Sequence, residues 1–266
     1  MSAPSACRPI GSSRRTAAAR SCTTRLALTA LIALIATTAL PFTATAASAA
    51  TTFTVNSTAD AVDVTPGDGT CVTSDGACTL RAAIQEANAF TGEDTIVLPA
   101  GEFPIAIPPL NQNDITSGDF DITEDLTITG AGQTATTIDG GVPAAGSSAE
   151  IPGLDRLFAV APGVGSVSFS DIRLQDGYAQ EFGGALFNEG DATVTLTNVT
   201  VMNSLASKNG GGVDNHANGT VAVNGSTFTA NSSVEGGSAL NNNRAGTLTV
   251  TSSTVTNNRG GSAILN

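Results

Sequence analysis

A lyase or hydrolase of polysaccharides needs carboxylates and cations grouped on one face, and Asp171, Arg173 and Asp191 come nearest to that description in this sequence. A lyase removes a proton beside a sugar carboxylate and needs cations to neutralise the substrate acid. Arg156, Arg173, Lys208, Arg244 and Arg259 are the basic residues available for this downstream of the N-terminal third. A hydrolase needs two or three carboxylates together, and Asp171 with Glu181 or Glu189 is the nearest set. No such arrangement recurs, because Asp171, Asp191 and Asp214 stand at different positions of the repeat described below. The pattern does not exceed what an acidic, solvated surface supplies, so no catalytic residue is assigned and Asp171, Asp191 and Arg173 stand only as weak candidates.

Other reactive side chains are sparse. His216, the single histidine, follows Asn215 at a turn with no nucleophile or metal triad near it, and a solvent-facing position is expected. Tyr178, the single tyrosine, falls in the segment Gln175 to Phe182, which reads as a loop leaving the surface; it is the best candidate for contact with a partner. Asp60, Asp63, Asp68 and Asp75 crowd an N-terminal segment and are weak candidates for calcium, since their spacing matches no defined calcium loop. No other cofactor or metal is expected.

Residues 1–49 carry five arginines, no acid, an apolar run from Leu26 to Leu40 and then Ala47-Ser48-Ala49. This order of charged, apolar and small residues reads as a signal peptide, and the apolar run falls short of the roughly 20 residues needed to span a bilayer. The remainder then has 6 basic against 23 acidic residues, a net charge of −17. Such a surface repels phosphate backbones, so nucleic acid is excluded as a partner. In an exported protein, Cys71 and Cys78 are expected to form a disulfide closing the loop between them.

The elements that must position these residues are repeats. Ser166-Val167-Ser168-Phe169, Thr193-Val194-Thr195-Leu196, Thr220-Val221-Ala222-Val223 and Thr247-Leu248-Thr249-Val250 begin 27 residues apart. A second set carries Asn188, Asn215 and Asn242 at the same spacing, and a third includes Ile172-Arg173-Leu174 and Val199-Thr200-Val201. Short segments alternating apolar with small polar residues, separated by Gly, Asn, Asp and Ser, read as strands with one side inward. The period is too short for a propeller blade and lacks a leucine lattice, which leaves stacked coils. The expected fold is therefore all-β, a single-stranded right-handed parallel β-helix, with Asn188, Asn215 and Asn242 forming a polar ladder. The glycines Gly183, Gly184, Gly210 to Gly212, Gly236, Gly237, Gly260 and Gly261 are expected to supply positive φ at its corners. Pro108 to Gly118 and Val142 to Gly153 read as surface excursions.

One helix is expected, over residues 79–90. Leu80, Ala83, Ile84 and Ala87 fall on one face, Arg81, Gln85 and Glu86 point elsewhere, Thr79 suits the N-cap, and Asn88 with Gly92 suits the end. Placed between the cysteine loop and the first coil, it would cover the open end of the stack. The organisation expected is a signal peptide over 1–49, a cap module over 50–92 and a β-helix over 93–266 that belongs to a longer solenoid.

The stretch Thr52 to Asp60, then Gly67 to Cys71, then Cys78-Thr79-Leu80-Arg81-Ala82-Ala83-Ile84-Gln85-Glu86-Ala87-Asn88 resembles the N-terminal module of secreted bacterial proteins named for a Cys-Ser-Leu-Arg-Glu-Ala signature. Thr79 replaces its serine and Ala82 its glutamate. Gly183-Gly184-Ala185-Leu186 and Phe228-Thr229-Ala230-Asn231 are similar to motifs of polymorphic outer-membrane adhesin-like proteins. The resemblance implies a pectin-lyase-like β-helix, secreted or surface-associated, without an assigned activity. The expected function is a non-catalytic adhesin-like or structural module contacting extracellular glycans or cell-surface components, with no membrane span in the mature chain; the alternatives are a polysaccharide lyase or hydrolase and a purely structural spacer.

Overall fold

The structure, a computed structural model, describes residues 49–110, 114–141 and 155–266. The leader up to residue 48, residues 111–113 of the first excursion and the whole of the second excursion lie outside the described residues.

Alternating sequence produces parallel sheets. The first sheet has seven strands, Thr52–Thr54, Asp94–Val97, Leu126–Thr129, Ser166–Ser170, Thr193–Thr197, Thr220–Asn224 and Thr247–Thr251. The second has six, Gly101–Pro104, Thr136–Asp139, Arg173–Gln175, Thr200–Met202, Thr227–Thr229 and Thr254–Thr256. The third also has six, Phe120–Ile122, Phe158–Val160, Leu186–Asn188, Val213–Asn215, Leu240–Asn242 and Ile264–Leu265. A short fourth sheet joins Tyr178–Ala179, Leu205–Ala206 and Ser232–Ser233. The chain visits the first, second and third sheets in turn and returns to the first, so every repeat adds one strand to each. All the strand pairs are parallel.

Register follows the repeat. Val167, Val194, Val221 and Leu248 pair in succession along the first sheet, and Asn188, Asn215 and Asn242 along the third. Asn188 Nδ2 donates to Asn215 Oδ1 at 2.8 Å, Asn215 Nδ2 to Asn242 Oδ1 at 2.7 Å and Asn242 Nδ2 to Asn266 Oδ1 at 2.5 Å. Each amide also donates to a carbonyl four residues on, at Ala192, Gly219 or Gly246. The amides therefore close the turn of their own coil and link it to the next. A second column escaped the sequence reading: Asn231 Oδ1 accepts from the Ser204 amide and Asn258 Oδ1 from the Asn231 amide.

The corners differ from expectation. Of the named glycines only Gly183, Gly210, Gly237 and Gly260 have positive φ. At Gly184 and Gly211 the constraint is space, because a Cβ would lie 2.3 Å from the Gly211 carbonyl oxygen and 2.2 Å from that of Ser232. Two other corners turn through the left-handed region with few glycines. Asp171, Asn198, Gly225 and Ser252 occupy one, at φ of 56°, 54°, 57° and 52°, and Asp176, Asn203, Ala230 and Asn257 the other. Asn, Asp and Gly tolerate this conformation better than other residues.

The helix runs Leu80–Ala89, with Thr79 as N-cap accepting from the Ala82 amide and Phe90 as C-cap, one residue past the last helical position and before Gly92. Leu80, Ala83, Ile84 and Ala87 share one core with Ile96 and Phe120 of the first strands and with Leu98. Its polar face is not solvated, however, since Arg81 is 1% exposed, Gln85 2% and Glu86 0%. Residues 56–72 fold over that face. Glu86 accepts from the amides of Gly67 and Gly69, Gln85 accepts from the Asp63 amide and donates to the Ile115 carbonyl, and Asn88 bonds both Asp121 and Thr123 backbone. Arg81 pairs with Asp60 at 2.6 Å and donates to the Gly118 carbonyl at 2.7 Å. Cys71 and Cys78 are joined by a disulfide.

Candidate functional site

The outer face of the third sheet carries a non-repeating row. Phe120 and Ile122, Phe158 and Val160, Leu186 and Asn188 turn inward, which leaves Asp121, Ala159, Phe187, Asp214 and Asn241 outward and in register. At about 4.8 Å per strand, Asp121 and Asp214 stand roughly 14 Å apart. Asp119, Asp155 and Arg156 enter from the segments before the first two strands, and Glu181, Phe182, Glu189 and His216 border the row further along.

Burial dominates the electrostatics here. Arg156 Nε lies 3.4 Å from Asp119 Oδ2, and its guanidinium sits 4.9 Å above the Phe187 ring. Asp155 accepts from the Arg156 amide at 2.9 Å and from the Asp119 amide. Desolvation, reinforced by Asp155 and Asp121 and opposed by Arg156, pushes Asp119 up to about 8. Desolvation also lifts Asp121 to about 6, against the pull of Arg156 and with further push from Asp155 and Asp114. Asp214 is raised by burial although Asn241 donates to it at 2.7 Å and His216 Nδ1 stands 3.4 Å away. Asp121 Oδ2 has no hydrogen-bond partner among the described residues, and the side chain belongs to a residue only 6% exposed.

Two adjoining hollows open on this face. One, of about 330 Å³, is walled by Arg156, Phe182, Phe187, His216 and Glu181; the other, of about 350 Å³, by Ile115, Asp121, Thr123, Ala161 and Pro162. Ala159 and Glu189 line both. The Phe182 and Phe187 rings stack at 6.0 Å with an angle of 19°, and the His216 ring lies 4.6 Å from the first and 5.5 Å from the second. Lys208 is held 5.1 Å over Phe182 and pairs with Glu181. Concave, partly apolar hollows with a few convergent polar groups are the usual form of ligand sites.

The residues named from sequence fall mostly elsewhere. Asp171 sits in the left-handed corner between the first and second sheets, where its carboxylate accepts from Asn198 of the next repeat. Arg173 opens its strand of the second sheet, while Asp191, at the approach to the first sheet, is exposed and accepts from the Asn218 amide at 3.2 Å. Tyr178 corrects the loop expectation: it begins a strand pairing with Leu205 and is 4% exposed, so it offers little surface to a partner. His216 is not a bare turn residue but the lid of the phenylalanine pair. Asp60 is spent on Arg81 and on the Ala106 and Ile107 amides, and Asp63 on the Thr65 and Val72 amides. Asp68 accepts from the Thr70 amide and Asp75 is exposed. No group of three or more potential ligands that could hold a metal ion occurs among the described residues.

Asp119, Asp121 and Asp155 were missed because they do not recur. The available signal was local: Asp119-Phe120-Asp121 alternates, so an inward Phe120 forces both neighbours outward. The chain matches no protein-family model, no curated protein and no solved structure. No helix among the described residues is long and apolar enough to cross a membrane.

Proposed function

We propose that this chain is an exported right-handed parallel β-helix of the kind suggested by its Cys-Thr-Leu-Arg-Ala-Ala module, and that it binds extracellular glycans as an adhesin-like module. The paired hollows on the third sheet carry this reading. A stacked aromatic pair flanked by arginine, histidine and carboxylates combines apolar surface with hydrogen-bonding groups of both kinds, as sugar rings require. The repeated residues already have structural partners, so the glycan contacts are assigned to Phe182, Phe187, Arg156 and Glu189.

A second reading rests on one arrangement: Asp119 and Asp121 lie two residues apart at the third sheet, and burial raises both carboxyls. Paired carboxyls held in different surroundings can divide acid and base roles in glycoside hydrolysis. Incubating the purified mature protein with acidic, neutral and basic polysaccharides, while recording binding and new reducing ends, separates the readings. Binding without turnover that is lost in Phe187→Ala supports the adhesin-like module. Turnover abolished by Asp121→Asn would replace it with a hydrolase, and neither binding nor turnover would leave a structural spacer.

A further inference from the structure

The outer face of the first sheet differs in kind from the outer faces of the second and third. Its strands alternate, so Phe53, Ile96, Ile128, Val167, Val194 and Val221 turn inward and the residues between them face solvent. Register places Thr52, Thr95, Thr127, Ser168, Thr195 and Thr249 in one outward column, broken only by Ala222. A flanking column from Thr54 to Thr251 is broken only at Val97 and Asn224, and a third, Ser166, Thr193, Thr220 and Thr247, is unbroken. None of these positions is charged in a chain with 23 acidic residues. Asp94, the single charged residue of the seven strands, is buried.

Strand propensity does not account for this array. Threonine suits any exposed strand position, yet the second sheet turns Glu102, Asp139 and Arg173 outward and the third Asp121, Phe187 and Asp214. Inheritance from the repeat does not account for it either. Thr52, Thr95 and Thr127 come from the part of the chain that lacks the repeat, across connections of unequal length, and still fall in the same column. The hydroxyls are also unspent: among the described residues, their hydrogen bonds are confined to Ser170 with Thr129 at 3.0 Å and Thr127 with Glu93 at 3.4 Å.

Along a column the hydroxyls repeat at about 4.8 Å, and the columns lie roughly 6.6 Å apart, two residues along a strand. β-Branching restricts threonine at χ1, so hydroxyls and methyls form a fixed two-dimensional net in which each hydroxyl can donate and accept. The net offers no charge to an ion and no aromatic ring on which a sugar could stack. Its complement is a partner that is neutral, periodic on the same scale and equally supplied with donors and acceptors, and the oxygen lattice of ice has these properties. We propose that the outer face of the first sheet binds ice. This face is separate from the paired hollows, and the proposal does not rest on the glycan reading.

Single ice crystals grown below the melting point in solutions of the purified mature protein test the assignment, together with uptake of fluorescently labelled protein into growing ice. Faceted crystals, a gap between melting and growth temperatures, and uptake into the ice are expected. Thr195→Tyr, which puts a bulky ring in the middle of the central column, is expected to abolish uptake. Thr227→Tyr, at an outward position of the second sheet, is expected to leave it unchanged. Ala222→Thr completes the column and is expected to widen the gap, with thermal unfolding showing that each variant is folded. Round crystals and exclusion of the folded protein from ice, or uptake that survives Thr195→Tyr, would overturn the proposal. Retention on crystalline cellulose or chitin, lost in Thr195→Tyr and without any effect on ice, would overturn it as well.

Discussion

The helix-bearing N-terminal region and the regular repeats reach stability by opposite routes. From Ser166 onward each partner is reused: a valine stacks on a valine, an asparagine bonds its equivalent 27 residues on, and one left-handed corner serves four repeats. Between Asn56 and Arg156 almost nothing is reused. Arg81, Gln85, Glu86 and Asn88 each hold a different backbone segment, and the unpaired oxygen of Asp121 lies in the same non-repeating part. Residues with a recurring structural partner have no need of a ligand. Buried polar atoms without a hydrogen-bond partner occur in both parts among the described residues, at Asp94 and Asp121 in the first and at Arg173, Asn188, Asn209, Asp214 and His216 along the repeats.

The largest test of this contrast is Val221→Asp. Val221 is wholly buried between Val194 and Leu248, and an unpaired charge there is expected to cost several kcal/mol and to prevent cooperative folding, seen as loss of the thermal unfolding transition. Arg81→Met comes next. It leaves Asp60 buried without its cation, and breaking a buried pair from one side costs about 3–5 kcal/mol. If chemical denaturation showed less than about 1 kcal/mol, the clamp would be ornamental.

Removing the disulfide by Cys71→Ser with Cys78→Ser is expected to cost about 2–3 kcal/mol, given the short loop it closes. Asn215→Ala, which removes a donor and an acceptor from the middle of the ladder, is expected to cost about 1–3 kcal/mol. Lys208→Ala breaks an exposed pair with Glu181 and should change stability by well under 1 kcal/mol.

The pH dependence sharpens the comparison. Asp119 and Asp121 bind protons more tightly in the folded chain than in the unfolded one, where aspartate titrates near about 3.9. Between that value and about 8 the folded state holds the extra protons, so stability falls as pH rises through this window. Asp94, Asp155, Asp176, Asp214 and Glu86 are raised as well and act in the same direction. The midpoint of thermal unfolding should be lower at about pH 8 than at about pH 5, and Asp119→Asn should flatten the difference. A midpoint that rises over this range would contradict the burial argument.

The coils were legible because a period is visible in one sequence. Register, the Asn188 ladder and the inward valines all follow from spacing. Tyr178 was misjudged because a two-residue strand leaves no alternation to read. Arg81, Gln85 and Glu86 gave a helix with a polar face, yet their partners at Gly118, Ile115, Gly67 and Gly69 are set by a fold-over of the chain that no periodicity announces. Asp121 was invisible for the same reason: its importance comes from burial beside Asp155 and Arg156, which an excursion separates from it in sequence.

Hydrogen exchange measured with and without the best-binding glycan tests most directly whether function sits on the outer face of the third sheet. Protection is expected in residues 114–123, 155–162 and 182–189, with little change around Asp171, Tyr178 or Asp191. Protection centred instead on the Asp171 corner or spread evenly along the repeats would contradict it.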